Sequence, residues 1–455
     1  MAKTKILLIA ILVFFTGLYL HNAWFYSPYS GYDAGIHQIY TKIITFEHRI
    51  PVPADTPESY NPPLFYWLSG QLARAFTPLF NNNFLDALKS WQILIALLLP
   101  IAGYFWYDIF CILNPKNKLL GLFLLFWLLS LPVINKMAPM YNLETPQLIL
   151  SSFIIWWFIK FVLKKPSIRR MIYLGIFCGV ILSLRIMSAS LLLSLGLMIG
   201  VLYLAKRLSF KQMIIYGLTF TLVTLIIGGQ YYYFYRDKGV FDSGENVVEN
   251  SKTPFFQRQP KSFYTDTFLR TSMRTPIRPY FPNRFIPIFY STFWGDYWNY
   301  YCQRRFPLSA AEEIKFSEST NKVKISAARL NLLAWQNRIN LIPSLILIAG
   351  ISIAVIKTIK QFSRRRLLDQ RKLSEGFLAI FFVAAFLAFF YTNIQFPNTY
   401  KGDTIKASYI LFAIPALIYF AGKLLMNFRH RRWFFYPLLL VIIISMIFNL
   451  RFDFF

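Results

Sequence analysis

The sequence predicts an all-α integral membrane protein, and three observations carry that prediction. Of its 455 residues 56% are hydrophobic and 15% charged, with a positive mean hydropathy, a balance too apolar for a soluble protein with one core. Roughly eleven apolar runs recur along the chain, most of them near the about 20 residues that a hydrocarbon core demands of a helix. The basic residues behind a formal net charge of +28 fall mainly in short clusters between those runs, which marks cytoplasmic loops rather than a nucleic-acid surface. Membrane lipids and a phosphate-bearing lipid are the expected partners, and nucleic acid is not.

The first run, 5–23, follows Lys3 and Lys5, and no small-residue cleavage site ends it, so it reads as an uncleaved span. The others lie near 91–113, 119–135, 147–163, 171–184, 187–205, 213–232, 339–359, 377–394, 407–426 and 433–450. Arg185 interrupts one long tract, and two spans are expected there because the basic loops on either side must face one compartment. With the amino terminus inside, the clusters at 114–118, 164–170, 206–211, 360–372 and 428–432 all fall on the cytoplasmic face. The outer face then receives 24–90, 136–146, the turn at Arg185, 233–338, 395–406 and the carboxyl tail. This divides the chain into an N-terminal membrane module of seven spans (1–232, with the first outer loop at 24–90), an extracytoplasmic loop region (233–338) and a C-terminal module of four spans (339–455). No repeat of fixed period stands out, and the matched broken spans of inverted-repeat transporters are missing. Cys111 and Cys178 lie in apolar runs and Cys302 in a loop, so neither a disulfide framework nor a metal-finger spacing is present.

The first outer loop concentrates the chemistry. From Asp33 to Glu47 the apolar residues Ile36, Ile39, Ile43 and Ile44 recur at helical spacing, predicting an interfacial helix. Asp33 opens it, where a carboxylate is favoured by free backbone N–H groups; from position alone it reads either as a cap or as a functional acid. His37 lies one turn on, placed to share a proton or a metal with Asp33 or to do neither. A Pro-rich extended stretch follows, and from Leu64 an aromatic helix begins, its Phe65, Tyr66 and Trp67 suited to the headgroup belt.

The order of these pieces, a first span, an acid opening a surface helix, the segment IPVP, then PPLFYW and another interfacial helix, resembles the glycosyltransferase-C superfamily of lipid-dependent membrane enzymes. The likeness is greatest to the branch of protein O-mannosyltransferases and lipid A aminoarabinose transferases. Ala34 stands after Asp33 where that branch commonly has Glu, and Tyr60-Asn61 precede Pro62-Pro63 where the aminoarabinose transferases tend to have Glu-Lys. The resemblance implies a glycosyltransferase-C fold and a sugar moved from a polyprenyl-phosphate donor to a glycan, lipid or protein acceptor. Asp33 matches the catalytic carboxylate that deprotonates the acceptor hydroxyl.

Further residues join it on the expected outer face. Glu144 begins a span, as a second acid of the site or as a dipole-favoured helix start. Arg185 sits at the membrane edge, where a charge either snorkels or functions. With Lys406 and Tyr409, which enter a late span, it is expected to hold the donor phosphate. Basic residues from Lys252 to Arg284 could attract anionic headgroups or form a solvated surface. The aromatic cluster around Trp294 and Asp296, with His37, is the weaker expectation for acceptor or sugar contact. A single carboxylate base suffices for one inverting displacement. A divalent cation, Mg or Mn, could be held by Asp33, Glu144 or His37, although no spacing demands one. A transporter, flippase, polymerase or ligase for lipid-linked glycans is the alternative function. The outer loops hold no evident Asn-x-Ser/Thr sequon, which favours a plasma (inner) membrane over the endoplasmic reticulum.

Overall fold

The computed structural model describes residues 2–235, 253–301 apart from 268 and 279, 327–363, 369–397 and 405–450. Cys302, Lys252, the carboxyl tail and part of the 360–372 cluster lie outside the described residues. Helix α1 (Ala2–Phe25) is followed by α2 (Ala34–Lys42) and α3 (Leu64–Phe76), which build the first loop. Then come α4 (Lys89–Leu113), α5 (Lys118–Leu129), α6 (Pro132–Met137), α7 (Glu144–Trp157), α8 (Ile168–Leu184), α9 (Ala189–Leu204) and α10 (Phe210–Thr224). After α11 (Phe285–Trp294) and α12 (Ala327–Ile339) the chain closes with α13 (Leu341–Ser363), α14 (Gln370–Gln395), α15 (Ile414–Asn427) and α16 (Arg432–Asn449).

Every apolar run forms a helix. Among the described residues nine helical stretches are long and apolar enough to cross a membrane, against the eleven expected. The two that fall short have local causes. The run 119–135 breaks because Pro132 demands an extended neighbour, and Leu131 takes it at φ −63°, ψ 131°. The run 171–184 becomes α8, whose 17 residues begin with Arg169 and Arg170 in the first turn. Arg185 separates α8 from α9 as expected, its backbone extended at φ −161°, ψ 134°.

Helix approach is set by small residues. Gly175 of α8 faces Phe220 and Val223 of α10, and Gly179 faces the 225–229 turn that continues it, so closely that a Cβ on Gly228 would lie 2.3 Å from the Gly179 carbonyl oxygen. At Gly350, α13 meets α15, where a Cβ would stand 2.8 Å from the Phe420 carbonyl. Polar side chains supply the remaining attachment. Asn340 and Asn449 exchange hydrogen bonds of 3.0 and 3.1 Å, with Ser445 donating to Asn340, and tie α16 to the α12–α13 junction.

Two buried lysines act on helix ends. Lys89 donates to the carbonyls of Ala23 and Tyr26 at the close of α1. Lys136 donates to Thr292 and Gly295 at the close of α11. Each satisfies carbonyls that the helix leaves open and meets the negative end of its dipole. The main core runs from Phe15 to Met446, and a smaller cluster of Tyr40, Phe65, Tyr66, Trp91, Tyr141 and Leu184 underlies the first loop.

At the end of the bundle that carries the basic loops, Asp108 accepts from Lys160 at 2.7 Å, and Glu375 lies 2.6 Å from Lys423 and 3.3 Å from Arg371. The site residues of the first loop lie at the other end.

Candidate functional site

The site begins with the backbone of the first loop. Gly31 has φ 125° and Asp33 sits in the left-handed region at φ 57°, ψ 21°, so the chain turns twice within three residues before α2 starts. Asp and Asn tolerate that conformation better than other side-chain-bearing residues. Its effect is to aim the carboxylate away from the helix: Asp33 makes no side-chain capping bond, and the cap reading is not what the structure shows. The carboxylate instead accepts from the Lys406 ammonium, 373 residues later in the chain.

Lys406 is buried, its Nζ 5.2 Å from the Tyr32 ring and 5.6 Å from that of Tyr409. The other face of the group is Arg185, whose guanidinium lies 4.8 Å from the Tyr409 ring and 2.8 Å from Glu144 Oε1. Two acid–base pairs therefore share one tyrosine. Asp33, Glu144, Arg185, Lys406 and Tyr409, drawn from four separate regions of the sequence, come together in one group. Of the four charged groups only Asp33 keeps appreciable exposure, 35% of its side chain, so the pair is approachable from the acid's side.

His37 is buried on the inner face of α2 and hydrogen-bonds through Nδ1 to the Tyr66 hydroxyl at 2.9 Å. It lies within electrostatic reach of Asp33 without a hydrogen bond between the side chains. The inner face of α2 is His37, Tyr40 and Thr41, while Ile39 is exposed. Phe65 and Tyr66 are likewise buried rather than belt residues, Tyr66 stacking on Tyr40 at 3.7 Å; only Trp67 is exposed. The apolar face of a membrane-surface helix can point to lipid, which inverts the usual inside-out assignment.

Glu58 is the acid that sequence reasoning passed over. It accepts from the Asn61 amide and the Tyr60 hydroxyl, and it feels the charges of His37, Asp33 and Lys406. Tyr231, just beyond α10, donates to the Ser59 carbonyl at 2.7 Å and holds this strap in place. Its only sequence signal is an acid two residues ahead of Tyr60-Asn61-Pro62-Pro63.

The aromatic segment takes a different arrangement from the expected one. Trp294 is core, its indole donating to Ser344 at 2.6 Å. Asp296 is buried and accepts from the Tyr301 and Tyr300 backbone N–H groups at 2.9 and 3.3 Å, shaping the turn. The residues that approach the site are Tyr300, edge-on to Tyr32 at 5.7 Å, and Trp298, which donates to the Ile405 carbonyl beside Lys406. Of the basic strip, Arg284 pairs with Asp266 at 2.9 Å, Arg258 donates to Gln395 and Arg278 lies over Trp298.

Burial alone would raise the Asp33 carboxyl, but the charge and hydrogen bond of Lys406, together with the charges of His37 and Arg185, outweigh it and hold the acid below its ordinary range. Burial would lower Lys406, and the charge and hydrogen bond of Asp33, with Tyr409 and Glu144 beside them, together more than offset this and raise it. Glu58 moves the opposite way to Asp33: burial raises it, and the Asp33 charge adds to the rise against the opposing pull of His37. The loop thus separates one ionised acid from one that keeps its proton to higher pH. Both Asp33 and Glu144 are already neutralised by bases, and no group of three or more His, Cys, Asp or Glu side chains among the described residues is placed to hold a metal ion. This donor set does not fit a divalent cation.

The helices and the group they converge on define a multi-pass α-helical membrane protein with a buried, charge-paired site at one end of its bundle. No protein-family model matches the sequence, and no curated protein does. Among solved structures, the chain aligns with the crystal structure of ArnT from Cupriavidus metallidurans bound to undecaprenyl phosphate, at 14% identity and a TM-score of 0.36, over 92% of this chain and 76% of that one. An alignment at that score carries neither a residue role nor an activity from one chain to the other.

Proposed function

We propose that this chain is a membrane glycosyltransferase of the glycosyltransferase-C type, moving a sugar from a polyprenyl-phosphate donor to an acceptor hydroxyl on the outer face of the plasma membrane. The observation that carries the reading is the Asp33–Lys406 pair, a base whose backbone is bent to aim it away from its helix and into a second acid–base pair. In the reaction the acceptor oxygen attacks the anomeric carbon, Asp33 takes the hydroxyl proton, and the bond to the phosphate oxygen breaks with its electrons leaving on the lipid phosphate. One displacement inverts the anomeric centre.

Lys406, Arg185 and Tyr409 are the groups assigned to the phosphate. Without donor, each cation is occupied by a carboxylate. A phosphate that takes up Lys406 withdraws the charge holding Asp33 down and adds a negative one nearby. Both changes raise the proton affinity of Asp33, so donor binding turns a poor base into a better one. Glu58, beside this group, is positioned to receive hydrogen bonds from the acceptor.

The test is transfer of labelled sugar from a polyprenyl-phosphate donor by the purified protein. Asp33→Asn is expected to lose about 10²–10⁴-fold in rate, the weight of a general base. Full activity in that variant would remove Asp33 from the role, and no transfer from any polyprenyl-phosphate sugar would overturn the function.

A further inference from the structure

At the end of the bundle away from the proposed site, α13 and α15 touch at Gly350, and beside that contact the two helices line a small cleft of about 50 Å³. Its floor is apolar, formed by Ala354 of α13 with Phe420 and Leu424 of α15. Its mouth is polar and carries Lys357, Gln361, Lys423 and Asn427. Glu375 is the acid that faces it, and both of its oxygens are taken: Oε1 accepts from Tyr419 at 2.7 Å and lies 3.3 Å from Arg371, while Oε2 lies 2.6 Å from Lys423. Lys357 has no acidic partner among the described residues. One acid against Arg371, Lys423 and Lys357 leaves the cleft positive.

We infer that this cleft binds the headgroup of an anionic phospholipid from the leaflet at the basic end of the bundle. Three features select a lipid over a soluble anion. The cleft is polar at the mouth and apolar at the floor, matching a phosphate joined to acyl chains. It opens onto Ile353, Ile356 and Ile359, which are 38%, 53% and 61% exposed on a membrane-spanning helix and so face hydrocarbon. It lies beside Arg371 and the basic cluster at 428–432, where a negative membrane surface is attracted. The Lys357 ammonium contacts the phosphate, and Gln361 and Asn427 are placed to donate to its ester and glycerol oxygens.

The experiment is native mass spectrometry of the full-length protein released from micelles supplied with equal phosphatidylglycerol and phosphatidylcholine. Preferential retention of phosphatidylglycerol is expected, with Lys357→Gln weakening the preference roughly fivefold, the weight of one basic side chain at an anionic surface. Lys357→Arg should keep it. Lys357 is exposed and unpaired among the described residues, so an unchanged melting temperature in Lys357→Gln separates lipid loss from misfolding. Equal retention of the two lipids, or the same preference in Lys357→Gln, overturns the inference. Displacement of the retained lipid by inorganic phosphate alone assigns the cleft to a soluble anion and overturns it as well.

Discussion

Asp33, half-buried, and Lys406, buried, each offset the other's loss of water, so changing one alters the chemistry of its partner as well as the local structure. Replacing Lys406 with Met leaves the burial of Asp33 and removes the largest of the charges that together outweigh it, so the carboxyl pKa must rise. In the rate profile, the acid limb set by Asp33 is expected below the ordinary carboxylate range in the native protein and at higher pH in Lys406→Met. An unmoved limb, measured as kcat/KM against pH, would mean that Asp33 does not set it. Stability follows the same sign: a depressed acid stabilises the fold above its unfolded pKa, and that contribution is lost as pH falls through the folded value. Glu58 titrates from the other direction, and Glu58→Gln, which fixes the neutral state, is expected to leave melting within about 0.5 kcal/mol near neutral pH if its acid is protonated there. A loss well beyond that in a thermal scan would show that the ionised form is the structural one.

At the scale of elements, small residues determine how close the helices can come. Gly228 stands against the carbonyl of Gly179, and a methyl group there cannot be relieved by rotating a side chain, because the obstacle is backbone. Gly228→Ala is expected to destabilise by about 1–3 kcal/mol, read as a lowered melting temperature in micelles, while Gly217→Ala, which meets open space, serves as the silent control. The sequence showed these helices by their apolar runs and showed the break at Arg185 by its charge. It did not show which glycines are contacts, because a glycine facing lipid and one facing a neighbour have the same local pattern. The asparagines at 340 and 449 were equally hidden, since 109 residues separate them and each alone looks like a polar residue near a span end. Phe65 and Tyr66 read as belt residues for a related reason: composition places an aromatic near the interface and cannot say whether it points outward.

For the whole molecule, the basic clusters gather at one end of the bundle and Asp33, Glu144, Arg185 and Lys406 at the other. The basic loops were legible in the sequence, because charges at the ends of apolar runs are rare enough to count. What could not be read was pairing, since nothing local links Asp33 to a lysine 373 positions on, and Glu58 looked ordinary among prolines and polar residues. The orientation makes a direct prediction. In a background without native cysteines, a cysteine at Glu47, whose side chain is half exposed, should react with an impermeant maleimide added to intact cells, and one at Lys165 only after permeabilisation. Labelling of both from one side would break the proposed topology.

The left-handed backbone at position 33 restricts what mutation can reach. A side chain there must accept a conformation that costs most residues about 1–2 kcal/mol, so a saturation library screened for folded protein should return chiefly Asp, Asn and Gly at that codon. Of those three, one carries a base. Glutamate, the conservative exchange on chemical grounds, is disfavoured by its backbone before its longer side chain is considered. Evolution can therefore tune the neighbours of this acid far more readily than it can replace the acid itself.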